Sequence, residues 1–321
     1  MHPIESPPGA RYVGRLAPSP TGMLHLGHAR TFLVAWWLAR RHQGELLLRF
    51  EDLDNERSRP AYADQILRDL NWLGLDWDGT PTFQSENLER FHTAAAELEQ
   101  AGRAYACACS RADIRGVIAA PHAGDDADYY PGTCRGRFAS RENARALTGR
   151  PAGLRFVTPS DGIAFDDEAA GHVAPNVAPM SDFLILRRDG IPAYQLAVVV
   201  DDAAQGVNHV VRGFDLLDST PRQIALQRAL GYPTPAYTHL PLVVDGSGRR
   251  LAKRADDLSL MHLRALGIRA EVIVSWAARS LGIQADRAAS ARDLLAEFSL
   301  MQPDPKPVVV TDALIASWQQ N

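Results

Sequence analysis

The sequence of 321 residues has little lysine, little cysteine and no long apolar run. Only Lys253 and Lys306 are lysines among its 34 basic residues, and the other 32 are arginines. Three cysteines, an odd number, argue against a disulfide framework. The sequence contains no stretch of eighteen apolar residues, so no membrane span is predicted. Its start lacks the basic region followed by an apolar region that a secretory signal would have. We therefore expect a cytoplasmic protein that does not enter a membrane.

The formal net charge of −4 excludes a general electrostatic attraction to nucleic acid, so any RNA contact needs a local basic patch. One arginine-rich stretch is a candidate, with a single acid, Glu142, among its basic residues. Its members are Arg135, Arg137, Arg141, Arg145 and Arg150. They form either a phosphate-contacting patch or an ordinary exposed helix.

The first fifty residues have the pattern of a βαβ unit. Residues 12–17 read as a strand that ends at Pro18, residues 28–42 as a helix, and "ELLLRFED" as a second buried strand. This order implies a parallel sheet with helices on its faces. Further along, "FLILRRDGIPAYQLAVVVDD" predicts two strands joined by a hairpin at Asp189-Gly190.

Composition divides the chain into four parts. Residues 1–106 and 182–254 are predicted to be the two halves of a nucleotide-binding domain. Residues 107–181, rich in glycine and proline clusters, are predicted to be an insertion between them. Residues 255–321 are mostly helical by pattern and are predicted to form a C-terminal segment.

The segment "GRLAPSPTGMLHLGHARTF" (residues 14–32) joins the first strand to its helix, which is where α/β folds hold phosphates. Its prolines and glycines, Gly27 among them, suit a rigid loop that a ligand can approach closely. His25 and His28 are three residues apart, so both rings can donate hydrogen bonds to one phosphate-bearing ligand. The alternative is a pair of surface or core histidines in a turn.

Lys253 lies in "RRLAKR", directly after the loop "DGSG". A lysine in such a loop can reach a triphosphate as a point charge. The alternative is a solvated basic face. Because arginine would serve a solvated face equally well, a lysine retained in this lysine-poor chain favours a function.

The three cysteines have spacings that suit one metal ion. Cys107 and Cys109 are two residues apart, and Cys134 lies 25 residues beyond Cys109. Three thiolates and a fourth donor make a tetrahedral zinc site, whose role here would be structural. The alternative is three reduced, partly buried cysteines without a metal.

Four segments together resemble the catalytic half of class I glutamyl-tRNA synthetases, over about residues 11–254. They are "RLAPSPTGMLHLGHARTF", "LLLRFEDLDNERS", "AYQLAVVVDDAAQGVNHVVRGFDLLDSTPRQIAL" and "RLAKR". "HLGH" resembles the first class I signature, and "RLAKR" the second, with Arg250 and Ala252 in place of the usual lysine and serine. The resemblance implies an α/β fold with a Rossmann nucleotide-binding domain, a zinc-bearing insertion and a short helical C-terminal segment.

The resemblance also implies the chemistry, which is activation of glutamate by ATP to glutamyl-adenylate, with Mg²⁺ arriving on ATP. His25, Gly27, His28 and Lys253 would bind ATP, and the two histidines and the lysine would be catalytic. Arg15 can bind a carboxylate and Ser19 can add a hydroxyl. Glu51 is placed to receive the ammonium group, unless it forms a salt bridge at the rim. Tyr194, unless it is a core aromatic, and Arg212 complete the glutamate pocket in the family pattern.

The 67 residues after Arg254 are too few for a C-terminal anticodon-binding domain. The chain therefore resembles the short paralogues of the family, which attach glutamate to the queuosine base in the anticodon loop of tRNA(Asp). Their cysteine pattern implies Tyr130 as the fourth zinc ligand, with Tyr129 and His122 as alternatives. We expect a monomer that acts on L-glutamate and queuosine-containing tRNA(Asp).

Three other functions compete with this one. A conventional glutamyl-tRNA synthetase would charge tRNA(Glu) and would carry an anticodon-binding domain. A small-molecule nucleotidyltransferase also uses His-x-Gly-His but needs neither the glutamate pocket nor the zinc insertion. An inactive binding protein would not need the set of signature residues that is present.

Overall fold

The computed structural model describes residues 11–110, 112–114, 129–175, 180–249, 258–285, 287–300 and 304–319. It confirms the βαβ unit. Strand β1 (Val13–Leu16) leads into helix α1 (Leu26–Arg41) and then into strand β2 (Glu45–Phe50). The two strands pair in parallel, with Val13 opposite Glu45.

The rest of the described chain forms further helices and short strands. They are α2 (Pro60–Trp72), β3 (Thr82–Phe83), α3 (Leu88–Gln100), β4 (Ala104–Cys107), α4 (Arg141–Thr148), β5 (Gly153–Phe156), β6 (Phe165–Asp167), β7 (Gly171–Val173), β8 (Phe183–Leu186), α5 (Tyr194–Ala204), β9 (His209–Gly213), α6 (Thr220–Leu230), β10 (Ala236–Leu240), β11 (Val243–Asp245), α7 (Leu260–Ala265), α8 (Ala270–Arg279), β12 (Val308–Val310) and α9 (Asp312–Trp318). Within these ranges no helix is both long and apolar enough to cross a membrane.

Two sheets built largely from parallel pairs lie side by side. One has the order β1-β2-β3, and the other has the order β7-β6-β10-β9, with only β7 antiparallel. They meet at β1 and β9, where the Asn208 amide donates to the Val13 carbonyl at 3.0 Å and Arg15 Nη1 donates to the Val211 carbonyl at 3.2 Å. The carboxyl ends of β1, β2 and β9 therefore lie at one edge, where α/β folds place their ligands.

Both faces of these strands are covered, which explains why they are apolar without alternation. Along β2, Leu46 and Leu48 pack into the core beside α1 and α8, while Leu47 packs into a second core beside α3, α5 and α6. Along β9, Val211 faces the first core and Val210 the second. The strand period of two thus distributes one apolar run between two cores.

The hairpin turn predicted at Asp189-Gly190 is present, because the Arg187 amide donates to the Ile191 carbonyl at 2.8 Å and Leu186 forms an antiparallel bridge with Pro192. The second predicted strand is wrong. "FLIL" forms strand β8, but the residues of "AYQLAVVVDDAA" from Tyr194 onward form helix α5. The segment from Leu196 to Asp202 is buried throughout, so apolar residues occupy every side of the helix and leave no helical period. A short buried helix of this kind cannot be told from a buried strand by periodicity alone.

The insertion has a small antiparallel sheet at its base. Strands β4, β5 and β8 form this sheet, and it extends across both predicted boundaries of the insertion. Strands β6 and β7 lie inside the predicted insertion, yet β6 pairs with β10. In the C-terminal segment β12 pairs with β11, a strand that the helical pattern does not show. The division into four parts stays a prediction.

Candidate active site

A pocket of about 700 Å³ opens at the carboxyl ends of β1, β2 and β9, beside the first turn of α1. Every candidate for ATP or glutamate binding that lies within the described residues lines it. They are Arg15, Ser19, His25, Gly27, His28, Glu51, Tyr194 and Arg212. The pocket thus brings together residues that are almost 200 positions apart in the sequence.

The two histidines form the N-terminal cap of α1. The amide of Gly27 donates to His25 Nδ1 at 3.1 Å, and the amide of His25 donates to His28 Nδ1 at 3.2 Å, a reciprocal capping box. The ring centroids are 3.8 Å apart. Because both Nδ1 atoms accept hydrogen bonds, the proton of each neutral ring lies on Nε2. Each ring therefore has an N–H donor of the kind that binds a phosphate oxygen.

Gly27 is required by the position of the His25 ring. A Cβ atom added at Gly27 would lie 3.0 Å from Cε1 and 3.1 Å from Nδ1 of His25. These distances are shorter than ordinary contacts, so the imidazole would have to move. The backbone of Gly27 is helical, and thus the glycine is needed for close approach and not for its conformation.

Two buried arginines and three acids form an ionic cluster, of which Arg15 and Glu51 line the pocket. Arg15, at the end of β1, is 3.5 Å from Asp202 through Nε. Arg49 lies 2.7 Å from Asp202, 3.4 Å from Glu51 and 3.8 Å from Asp201. All five side chains are largely buried. Buried charges of this density are stable only when each has partners of opposite sign.

Glu51 follows β2 directly, and its amide donates to the Pro18 carbonyl at 3.0 Å, which ties it to the first loop. Burial raises the pKa of Glu51, while the nearby Arg49 and Arg15 oppose that shift. Its carboxylate is 11% exposed, so it lies inside the pocket and not at a solvated rim. Tyr194, the first residue of α5, is 38% exposed and is not a core aromatic.

Arg212, on β9, is 4% exposed and donates only to neutral acceptors among the described residues. Its Nε donates to His239 Nε2 at 2.8 Å, Nη1 to Gln223 Oε1 at 2.7 Å, and Nη2 to Thr220 Oγ1 at 2.8 Å. A buried guanidinium without a directly contacting carboxylate is costly. An anionic ligand in the pocket would supply the missing charge.

Lys253 lies outside the described residues. The chain on either side of it is close to the pocket. Val243, on β11, lines the pocket, and Ser259 forms a bridge with His25. The Leu260 amide donates to the Leu24 carbonyl at 2.8 Å, so the segment after the second signature returns to the first signature.

The three cysteines meet in the insertion, where their sulfur atoms all lie within 4.8 Å of one another. Cys109 Sγ and Cys134 Sγ are 3.4 Å apart. The hydroxyl of Tyr130 is 3.4 Å from Cys107 Sγ and 3.6 Å from Cys109 Sγ. Arg155 donates through Nε to Cys107 Sγ at 3.3 Å, and its guanidinium lies 3.8 Å above the Tyr130 ring. The site therefore combines three sulfur donors, one oxygen donor and a nearby cation.

Most of the arginine-rich stretch is engaged within the protein. Arg135 forms an ion pair with the buried Asp182, Arg150 is 2.7 Å from Asp113, and Arg141 donates to the Ala152 carbonyl at 3.1 Å. Arg137 lies over the Phe138 ring at 5.2 Å. Three of the five arginines, Arg135, Arg141 and Arg150, thus have partners within the protein, and an RNA-binding role of the stretch stays a prediction.

Three charged residues beneath the pocket were not predicted from the sequence, namely Arg49, Asp201 and Asp202. A signal for them exists, because two adjacent aspartates at the end of an apolar run need buried cations. Nor was the contact between His239 and Asp167 predicted; these residues are 72 positions apart, and His239 Nδ1 lies 2.6 Å from Asp167 Oδ2. No local pattern in the sequence links these two residues.

Comparison with known proteins identifies the family. The family model for class I tRNA synthetases (E and Q), catalytic domain, matches residues 12–302. The chain therefore belongs to this family of class I synthetases. A solved structure of a glutamate tRNA ligase from Elizabethkingia meningosepticum, in complex with its amino acid, has a TM-score of 0.82 and 25% identity. The match covers 96% of this chain and 69% of the chain in that structure.

Within the family, the chain groups with relatives that bear the name glutamyl-Q tRNA(Asp) synthetase. The protein of that name from Symbiobacterium thermophilum is 46% identical over 95% of this chain and 97% of its own length. The one from Rhodopirellula baltica is 44% identical over 94% of this chain and 97% of its own. A glutamate–tRNA ligase from Geotalea uraniireducens is 39% identical, and the match covers 90% of this chain but 61% of that protein.

Proposed function

We propose that this chain activates L-glutamate with ATP and transfers the glutamyl group to the queuosine base in the anticodon loop of tRNA(Asp). The observation that carries this proposal is the convergence, in one pocket, of a histidine pair on a helix N-terminus with two arginines and a glutamate. The names of the relatives at 44–46% identity supply the acceptor.

The charges of the pocket match those of glutamate. Glutamate carries two carboxylates and one ammonium group, and the pocket offers Arg15, Arg212 and Glu51. We assign the arginines to the carboxylates and Glu51 to the ammonium group, because ionised pairs with good geometry give the strongest hydrogen bonds. Tyr194 and Ser19 line the same space and would add hydroxyl groups to the recognition.

In the first step, a carboxylate oxygen of glutamate forms a bond to the α-phosphorus of ATP, and the bond to pyrophosphate breaks. The protein contributes positioning and neutralisation of charge. We assign the Nε2–H groups of His25 and His28, and Lys253, to the phosphate oxygens, with Gly27 allowing the close approach. Mg²⁺ would arrive on ATP.

In the second step, a hydroxyl of the queuosine cyclopentenediol attacks the activated carbonyl carbon, and AMP leaves. The cyclopentenediol resembles a ribose diol, so a site that evolved for a terminal ribose can accept it. Its place in a loop suits a pocket that is open at the edge of a sheet. We propose that the protein acts as a monomer.

We also propose that the cysteine cluster holds one structural zinc ion. In a tetrahedral site with Zn–S bonds of about 2.3 Å and a Zn–O bond of about 2.0 Å, neighbouring sulfurs are about 3.8 Å apart and oxygen is about 3.5 Å from each sulfur. The two Tyr130 distances, 3.4 and 3.6 Å, fit this geometry. Tyr130 is 3% exposed and Tyr129 is 46% exposed, which favours Tyr130 as the fourth ligand. His122 lies outside the described residues.

The experiment that tests the proposed function locates the label after incubation with ATP, labelled glutamate and bulk tRNA. Parallel samples use tRNA with and without queuosine, and His28→Ala serves as the inactive control. We expect the label in an anticodon-loop fragment after nuclease digestion, and only with queuosine-containing tRNA. Label on the 3′-terminal adenosine, or equal labelling of both tRNA samples, would instead identify a conventional glutamyl-tRNA synthetase.

A further inference from the structure

A buried series of hydrogen bonds links the guanidinium of Arg212 to His239 and then to Asp167. Asp167 Oδ2 lies 2.6 Å from His239 Nδ1, and His239 Nε2 accepts from Arg212 Nε at 2.8 Å. His239 is 0% exposed, Asp167 and Arg212 are 4% exposed, and only Arg212 lines the pocket. These hydrogen bonds thus connect the arginine that faces the pocket to an acid on β6.

The geometry allows only one tautomer of His239. Nε2 must be unprotonated to accept from Arg212, so the ring proton lies on Nδ1 and is donated to Asp167. Burial lowers the pKa of His239 despite the hydrogen bond to Asp167, which keeps the ring neutral. Asp167 is itself fixed by the amides of Ala169 and Ala170 at 3.0 and 2.8 Å. Asp167 therefore orients His239, and His239 orients Arg212.

The neutral ring also determines how strongly Arg212 attracts an anion. A carboxylate in direct contact with Arg212 would compete with the substrate for the same N–H groups. Among the described residues the hydrogen-bond acceptors of Arg212 are neutral, and its hydrogen-bonded link to the Asp167 carboxylate passes through an imidazole, so the guanidinium keeps its field toward the pocket.

We propose that Asp167 and His239 are positioning residues for glutamate recognition, and that Asp167 acts by fixing the tautomer of His239 that accepts from Arg212. This inference rests on the proposed role of Arg212 in binding glutamate. Neither residue contacts the substrate, and both act through the arginine.

The test is Asp167→Asn, which keeps the shape but can donate to His239 Nδ1. The ring proton would then move to Nε2, where it opposes the Arg212 N–H. The matched control is Asp166→Asn on the same strand, whose carboxylate is 88% exposed beside the exposed His172. The readout is the KM for glutamate and, separately, for ATP, in glutamate-dependent pyrophosphate release with tRNA present.

We expect Asp167→Asn to raise the glutamate KM about ten- to a hundred-fold, as losses of supporting hydrogen bonds do at metal sites. The ATP KM of Asp167→Asn, and both KM values of the control Asp166→Asn, should change less than about twofold. Nitrogen-15 NMR of labelled histidine should show Nδ1–H in the wild type and Nε2–H in the variant, with His239 assigned by comparison with His239→Gln. An unchanged glutamate KM in a folded variant, or Nε2–H in the wild type, would overturn the inference.

A second pair of variants covers the case in which Asp167→Asn does not fold. His239→Gln offers an amide oxygen to Arg212, whereas His239→Leu offers no acceptor. We expect the glutamate KM of His239→Gln to be about tenfold lower than that of His239→Leu, and so closer to the wild-type value. Equal glutamate KM values in these two variants would overturn the inference. A wild type without glutamate-dependent activity would reject the proposed function instead, while the tautomer measurement would still test the geometry.

Discussion

Gly27→Ala is expected to separate activity from stability. The added Cβ would lie 3.0 to 3.1 Å from two atoms of the His25 ring, and its third neighbour, Val243 Cβ, is at an ordinary 3.7 Å. The backbone at this position is already helical, so alanine should stabilise α1 by a few tenths to about 1 kcal/mol. The strain is therefore confined to one imidazole that faces the pocket.

The size of the effect follows from the displacement. Restoring normal contact distances requires the His25 ring to move by a few tenths of an ångström, and the ring can do so only by weakening its hydrogen bond from the Gly27 amide, now 3.1 Å. A misplacement of about 1 Å at a reacting centre costs about a hundredfold in rate. We therefore expect a loss of about tenfold in kcat for glutamate-dependent pyrophosphate release. The glutamate KM should be nearly unchanged, because the arginines and Glu51 are not displaced.

The assay pairs pyrophosphate release with urea unfolding of the same preparations. Gly246→Ala is the control, because the nearest atom to its added Cβ is Thr311 Cγ2 at an ordinary 3.7 Å. Wild-type kcat in Gly27→Ala would show that the ring position does not matter for catalysis. A clear loss of stability would show that the strain is not confined to His25.

Three further predictions address pH, metal and the second signature. Burial lowers the pKa of His209 from 6.5 to about 4. Between pH 6.5 and 4 the imidazole is therefore protonated in the unfolded chain but not in the folded one, so the free energy of unfolding falls as the pH decreases. Between pH 7.5 and 5, urea unfolding should show the wild type losing about 2 kcal/mol relative to His209→Gln. The same loss in both proteins would contradict this. Elemental analysis of chelator-free protein should find about one zinc, which Cys107→Ser should remove, with tRNA transfer harmed more than pyrophosphate release. Well under half an equivalent in the wild type would indicate reduced thiols without metal. Lys253→Ala should slow pyrophosphate release about 10²- to 10³-fold, and near-normal turnover would remove Lys253 from the catalytic residues.

The lining of the pocket was predictable because the residues that meet a ligand at the edge of a parallel sheet lie next to strand ends, which the sequence reveals. Arg15 closes β1, Glu51 follows β2 and Arg212 lies on β9. His25 and Gly27 were recognisable from the loop that joins the first strand to its helix. In each case the local pattern carries the position as well as the chemistry.

The support beneath the pocket was not predictable for the opposite reason. The contact between Arg49 and Asp202 joins β2 to α5, and that between Asp167 and His239 joins β6 to β10. Such pairs depend on how strands are ordered in the sheets, which the sequence pattern did not give. Helix α5 was also mistaken for a strand because it is buried on all sides, so Asp201 and Asp202 were assigned to the wrong kind of element.

The two arginines assigned to glutamate are balanced in different ways. Arg15 shares the carboxylate of Asp202, 3.5 Å away, with Arg49, so part of its charge is already compensated inside the protein. Arg212 reaches Asp167 only through the neutral ring of His239. Since attraction in a buried site falls with each counter-charge in direct contact, Arg212 should hold its carboxylate more strongly than Arg15 does. Because the two carboxylates of glutamate carry the same charge, Glu51, assigned to the ammonium group, would distinguish the α-carboxylate end from the side-chain end.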